Sequence, residues 1–233
     1  MPSPTRLRFK LDKRETELIR INRMHYPVTV LGPGSRIGIW LQGCSNGCSG
    51  CLSKDTWDVE SGKLISIGEI VNCCSCFEPY GVDGITISGG EPFEQPESLK
   101  LLLSELHSWT DRLDSPVDYL CYSGNPYSVL QHQYPYILSL LDTIIPEPFV
   151  VELPGKPLRG SDNQPIINLT ELGVSRFAGY DYKSQSQPKK CIQFVFENDG
   201  SISFVGIPER GDMEKLAELC KAQGLYLKNV SWD

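Results

Sequence analysis

The sequence predicts an α/β fold, a parallel sheet or open barrel of β and α units, followed by a small α+β appendage. Three observations carry this. Short apolar stretches alternate with stretches of helical periodicity from about residue 36 to residue 149. Each strand-like stretch runs into a glycine-marked loop, which gathers the unusual residues at the strands' C-terminal ends. Near residue 175 the composition turns polar before apolar alternation resumes at residue 191.

Taken in order, TRLRFKLDKRETELIRINR holds seven Lys or Arg against three acids and reads as a solvated helical face, so residues 1–24 form a charged N-terminal segment. PVTVLGPGSRIGIWLQGC reads as a strand, a Gly-Pro-Gly turn and a second strand, Arg36 to Leu41, that runs straight into cysteines. In SIGEIVNCCSCFEPYG, Ile67, Ile70, Val71 and Cys74 recur at helical spacing, and Pro79 with Gly81 ends the helix. DGITISGGEP is a short apolar strand that breaks at Gly89-Gly90, ESLKLLLSELHSW is an amphipathic helix, and VDYLCYSGNPY is the next strand. The pattern repeats with YILSLLDTIIPEPF.

The domain over residues 25–174 gives way to a linker, 175–190, and then to an α+β extension, 191–233. In that extension CIQFVFENDGSISFVGIP predicts a hairpin turning at Asn198-Asp199-Gly200. Asp212 is placed to cap a helix with Met213, Leu216, Ala217 and Cys220 on one face, Gly224 ends it, and LYLKNV returns as a strand.

Composition narrows the functions. A formal net charge of -7 argues against a protein that grips nucleic acid over its whole surface. No apolar run approaches the ~18 residues that span a membrane, and the N-terminus lacks a signal peptide's apolar core, so a cytoplasmic location is expected. There the nine cysteines are reduced, and closely spaced ones read as metal-binding or catalytic.

Three of them, Cys44, Cys48 and Cys51, stand in a C-x3-C-x2-C pattern on one loop. Three soft ligands from one loop can hold three corners of a cubane iron-sulfur cluster and leave the fourth iron open. Small residues between them, Ser45, Asn46, Gly47, Ser49 and Gly50, let the backbone turn tightly. The competing reading is a structural zinc knuckle, which usually wants four Cys or His ligands in two pairs. His25 and Cys73 are the nearest outside candidates, and neither makes a second pair. Cys73, Cys74 and Cys76 in NCCSC, with Cys121, Cys191 and Cys220, read as packing or incidental thiols.

The spacing resembles radical S-adenosylmethionine enzymes, and the likeness extends beyond the cysteines. YPVTVLGPGSR, the cysteine loop, DTW, ITISGGEP, CYSG and LRGSDNQPII look, in this order, like the short activating enzymes of anaerobic ribonucleotide reductase. The match runs from about residue 25 to residue 168. The resemblance implies a partial, open (βα) barrel of the radical S-adenosylmethionine type. It implies Cys44, Cys48 and Cys51 as ligands of a 4Fe-4S cluster whose open iron binds S-adenosylmethionine. Gly50 and Leu52 would lie against the adenine, and Gly89, Gly90 and Glu91 would meet the methionine end. Ser123 would reach the ribose or carboxylate, and Asn163 would bond the cofactor. Arg159 and Asn163 stay open between contact to a ligand and the pinning of a loop, and the role of Arg36 is likewise left open.

The implied reaction is reductive cleavage of S-adenosylmethionine to a 5′-deoxyadenosyl radical, with flavodoxin or ferredoxin as electron donor. A glycyl-radical enzyme such as anaerobic ribonucleotide reductase is the implied partner. IIPEPF stands where such activases tend to have an Asp-Gly pair, and the extension goes past their usual end. Two other readings therefore stand beside the first: a radical enzyme that modifies a peptide or small metabolite, and a non-catalytic zinc or iron-sulfur interaction module.

Overall fold

The structure is a computed structural model and describes residues 17–180, 191–196 and 202–226. A seven-stranded open sheet runs in the order β3-β1-β2-β4-β5-β6-β7. Its strands are β1 Leu18–Val28, β2 Arg36–Leu41, β3 Lys63–Ser66, β4 Gly84–Gly89, β5 Asp118–Tyr122, β6 Thr143–Ile145 and β7 Ile167–Asn168. The four central strands, β2, β4, β5 and β6, are parallel, while β1, β3 and β7 pair antiparallel with their neighbours. The α/β expectation thus holds as an open mixed sheet with a parallel centre.

Alternation sorts the parallel strands into two faces. On one, Ile37, Ile39, Leu41, Ile85, Ile87, Tyr119, Cys121 and Ile144 join the main apolar core. Two helices cover that face: α1 (Ile67–Ser75) contributes Ile67, Ile70 and Cys74, and α2 (Pro96–Thr110) contributes Leu99, Leu102, Leu103 and Leu106. A capping box starts α1, because Ser66 Oγ accepts from the Glu69 amide while the Glu69 carboxylate accepts from the Ser66 amide. Short helices α3 (Tyr127–Gln133) and α4 (Pro135–Leu138) link β5 to β6, and α5 (Glu171–Phe177) follows β7.

The opposite face carries an ion pair. Arg36, Gly84 and Asp118 stand in one row across β2, β4 and β5. The fully buried Arg36 guanidinium reaches over the middle strand to Asp118, with Nη1 and Nη2 donating to its two carboxylate oxygens at 2.9 and 2.7 Å. Nε donates to Thr86 Oγ1 at 2.7 Å. Only glycine fits at position 84, since a Cβ there would lie 2.2 Å from Arg36 Nη1. Arg36 is therefore an anchor of the sheet, which closes the choice that the sequence left open.

The extension forms a hairpin, β8 Ile192–Phe196 and β9 Ile202–Gly206, followed by α6 Asp212–Ala222. Phe194 pairs with Phe204 in antiparallel register. Val205 packs with Val28, Leu31 and Trp40, so the hairpin sits on the sheet face that α1 and α2 leave open, the face that also receives Phe177 of α5.

Several expectations shift. The charged N-terminal stretch reads as a helical face, yet β1 begins at Leu18, and buried Ile19 and Ile21 bring it into the sheet; a boundary after residue 24 would cut that strand. Residues 1–16 of that segment lie outside the described residues, as do 181–190 of the linker, the turn at Asn198-Asp199-Gly200 and most of LYLKNV. The linker's first residues belong to α5. Asp212 is the first helical residue and not the cap; Gly211 holds that place in left-handed conformation, φ 81°, and Asp212 accepts from the Glu209 amide instead.

Candidate active site

The cysteine loop leaves the end of β2 and is tied down at its neck. Gly43 N-H donates to Thr56 O at 2.8 Å and Cys44 N-H to Trp57 O at 3.0 Å. On the other side Glu91 N-H donates to Gly43 O and Gly90 N-H to Leu41 O, both at 2.8 Å. Gln42, buried, holds the DTW turn through Nε2 bonds to Asp55 O and Asp58 O at 3.0 and 2.9 Å. Glu94 accepts from both the amide and the hydroxyl of Ser45 at 2.6 Å.

Within the loop Gly47 and Gly50 take left-handed conformations, φ 58° and 72°, and Cys51 N-H donates to Cys48 O at 3.2 Å. All three thiols are free and partly exposed. Burial first, then the nearby Glu91, Glu94 and Cys51, pushes the Cys44 thiol up to about 11. Burial also raises Cys51, with Cys48 and Asp55 adding to it. A cationic centre offsets such negative neighbours and lets the thiols ionise.

Among the described residues no three His, Cys, Asp or Glu side chains converge closely enough to hold a single metal ion. A cubane is held at separate iron corners, so its ligands need not meet at one point. Soft sulfur donors on a tightly turning loop suit such a cluster.

Glu91 organises the junction between loop and sheet. It is buried, and its carboxylate accepts four hydrogen bonds. Phe93 N-H and Ser123 Oγ donate to Oε1 at 3.1 and 2.8 Å, and Gly124 N-H and Asn46 Nδ2 to Oε2 at 2.7 and 3.2 Å. Burial nonetheless raises its carboxyl above the ordinary range, with the bonds from Phe93, Ser123 and Gly124 opposing the shift.

The flanking glycines serve the chain's own packing. A Cβ at Gly89 would lie 2.3 Å from Leu41 O, and one at Gly90 would lie 2.1 Å from Gly43 O. The space beside both is filled by backbone, where the sequence suggests room for a ligand. Ser123 likewise gives its hydroxyl to Glu91 and accepts from Asn125 N-H at 3.0 Å.

A cavity of about 1020 Å³ opens beside the loop. Gly50, Cys51 and Leu52 line it, with Ser88 and Tyr122 from the ends of β4 and β5. Of the expected cofactor contacts, Gly50 and Leu52 reach this cavity, whereas Gly89, Gly90, Glu91, Ser123 and Asn163 do not line it. The RGSDNQ segment clamps the loop that follows β6. Ser161 Oγ accepts from Val150 N-H at 3.1 Å, Asn163 Nδ2 donates to Pro148 O at 2.8 Å, and Gln164 Nε2 donates to Glu147 O at 2.9 Å. Asn163 Oδ1 is buried without a hydrogen-bond partner, and Arg159 is buried. Cys74 and Cys121 are buried, Cys73, Cys76 and Cys191 exposed, and Cys220 is partly exposed.

Sequence reasoning missed Gln42, Asn46 as a Glu91 partner, Glu94 and Gln95. Gln95 Nε2 donates to Arg20 O and Gln42 O at 2.8 and 3.1 Å. A polar Gln inside the apolar run WLQGC was the available signal, since a buried amide has to find partners.

A family model described as a 4Fe-4S single cluster domain matches residues 30–167. The anaerobic ribonucleoside-triphosphate reductase-activating protein of Enterobacteria phage T4 is 29% identical over 143 residues, 61% of this chain and 89% of that protein. The protein of the same name from Escherichia coli (strain K12) is 30% identical over 155 residues, 62% of this chain and 96% of that one. The pyruvate formate-lyase-activating enzyme of Clostridium pasteurianum is 39% identical over 83 residues, 34% of this chain and 35% of that enzyme. With more than half of its length under the family match, the chain belongs to the 4Fe-4S single cluster domain family, as an oxidoreductase of the radical S-adenosylmethionine activating type whose cofactors are a 4Fe-4S cluster and S-adenosylmethionine.

Proposed function

We propose that this chain activates a glycyl-radical enzyme, anaerobic ribonucleotide reductase being the first choice, with Cys44, Cys48 and Cys51 holding the cluster and the sheet serving as the family's partial barrel. The observation that carries this reading is the place of the cysteine loop. It is pinned to the GGEP strand end and opens through Cys51 and Leu52 onto the large cavity. Held there by Cys44, Cys48 and Cys51, the cluster would supply the one-electron reduction that cleaves S-adenosylmethionine and, through it, the removal of a hydrogen atom from a glycine Cα.

The chain's own residues bind, orient and shield. Gly50 and Leu52 offer a flat wall to the adenine. Glu91 is the acceptor for the cofactor's ammonium and takes it by releasing Asn46, the longest of its four bonds at 3.2 Å. Ser123 keeps that carboxylate aimed. Gly89 and Gly90 keep β4 against the loop's neck. Asn163 Oδ1, buried without a partner, is an acceptor suited to a cofactor hydroxyl. A flavodoxin or ferredoxin supplies the electron.

A second reading, modification of a peptide or small metabolite, draws on the C-terminal extension, which adds cavity walls beyond the family match that ends at residue 167. No helix is long and apolar enough to cross a membrane among the described residues. Anaerobic reconstitution with iron and sulfide is expected to give a brown protein that, with dithionite, makes 5′-deoxyadenosine from S-adenosylmethionine. Mixed with a candidate glycyl-radical partner, it should yield a glycyl doublet by electron paramagnetic resonance. Cofactor cleavage without a doublet would favour the second reading, and colourless zinc-loaded protein without cleavage would end both.

A further inference from the structure

The cavity has two walls from separate parts of the chain. One is the cysteine loop and the segment after β6; the other is the stretch from Phe204 to Glu214, C-terminal to the family match. The second wall is fastened at two points. At the hairpin, Val205 is buried against Val28, Leu31 and Trp40, and Gln193 Nε2 donates to Pro27 O at 2.6 Å. At the turn before α6, the Arg210 guanidinium donates through Nη2 to the carbonyls of Val151 and, at 3.0 Å, Leu153.

Those two carbonyls lie on the segment that shapes the cysteine loop. Val151 Cγ2 is 2.8 Å from where a Cβ on Gly50 would be, and Phe149 Cε1 is 3.6 Å from it. Gly50 immediately precedes the third loop cysteine and is held at φ 72°. The same segment is gripped from behind by Ser161, Asn163 and Gln164. A continuous chain of contacts therefore runs from Arg210 through Val151 to Gly50.

We infer that the stretch from Phe204 to Glu214 is a cover of the cavity, latched by Arg210 onto the Phe149–Leu153 segment, and that Arg210 is a positioning residue for the cysteine loop and a gate for substrate entry. The second fastening sets the exposed Arg210 beside the buried Met213, whereas the first is a packed apolar contact at the hairpin. Release at Arg210 would swing the turn before α6 aside while the hairpin stays seated. This rests on the proposed function in one respect: a glycine-bearing loop of a partner would have to reach past this wall.

Amide hydrogen exchange on the full chain, with and without reconstituted cluster, tests the latch in wild type, Arg210→Ala and Arg210→Lys. Loss of a charge-assisted pair of bonds should speed exchange about tenfold in Arg210→Ala. The acceleration should appear at 149–153 and 206–214 together and spread to 50–52, with core strands unchanged. Arg210→Lys should be intermediate, because an ammonium cannot fork to two carbonyls as a guanidinium does. Unchanged exchange, acceleration in one segment alone, or a rise shared evenly by the whole chain would overturn the inference. Adding S-adenosylmethionine should slow exchange at 50–52 and 149–153 in wild type, and less in Arg210→Ala; slowing at 50–52 alone would count against the relay. If S-adenosylmethionine altered exchange nowhere, the proposed function would fall, while the cluster-free comparison would still decide the latch.

Discussion

Replacing Glu91 with glutamine preserves the side chain's shape and takes away one acceptor oxygen from a buried site with four donors. Two of those donors are adaptable, since the Ser123 hydroxyl can rotate and the Asn46 amide can flip. The other two, Phe93 N-H and Gly124 N-H, are backbone and bond different oxygens. Whichever way the new amide turns, its NH2 faces one of them and leaves a buried donor unpaired. An unpaired buried donor costs about 1–3 kcal/mol. For a protein of this size that corresponds to a melting temperature lower by about 2–12 °C. Thermal and urea denaturation of the cluster-free protein, followed by circular dichroism, measure it. A cycle with Ser123→Ala should show coupling of about 0.5–3 kcal/mol, because the serine donates to the altered group. The pH dependence has a fixed sign. Burial raises the folded carboxyl, so the stability it contributes is greatest below the free glutamate value of about 4.3 and is lost as the pH rises through the folded value. The gap between wild type and the glutamine variant should therefore widen on acidification from neutral pH. A variant within about 0.5 kcal/mol of wild type, the range of neutral surface changes, would refute the four-donor account. A gap that narrows on acidification would show that the hydrogen bonds outweigh burial.

Arg36→Met removes the cation that forks onto Asp118 and leaves that buried carboxylate only the longer pair with Arg176 at 3.8 Å, so a loss of about 3 kcal/mol, the low end for a broken buried pair, is expected in urea denaturation. Ser66→Ala deletes the capping box of α1 and should cost about 1 kcal/mol. Glu69, fully exposed, is held below the usual carboxylate range by hydrogen bonds from Ser66, so its contribution is complete above the free value and fades as the pH falls through the lowered one; Ser66→Ala should flatten that part of the acid denaturation profile. Gly50→Ala asks a left-handed position to take a Cβ 2.8 Å from Val151, with a conformational cost of about 1–2 kcal/mol; iron per chain after reconstitution should drop while the circular dichroism spectrum of the cluster-free protein stays.

The parts of the fold that were legible in the sequence are those that depend on neighbours in the chain. Strand β2, helices α1 and α2, and the hairpin of the extension each announce themselves by periodicity within a dozen residues. The cysteine loop is similarly local, and its spacing alone suggested an open iron. What could not be read is pairing across long separations. Arg36 and Asp118 stand 82 positions apart, and the glycine that lets them meet looks, in the sequence, like any residue before a strand. β1 was hidden for a different reason: its charged residues alternate with isoleucines, and the charge masked the alternation.

Glycine-marked strand ends invite the idea of space kept for a ligand, and here they do two different jobs. At Gly89 and Gly90 the absent Cβ makes room for β2 and the neck of the cysteine loop, which fixes where the loop leaves the sheet. At Gly50 it makes room for Val151, whose carbonyl is held by Arg210 and whose neighbour Val150 is held by Ser161 of the RGSDNQ segment. The first set positions the loop against the strands, and the second positions it against the far side of the cavity. A loop that holds a reactive centre needs both constraints, because a shift at either side moves the sulfurs relative to the substrate wall. The far side is fastened both from within the family match, by Ser161, and from beyond it, by Arg210, so on the proposed function the wall facing the substrate depends on residues that the match does not include.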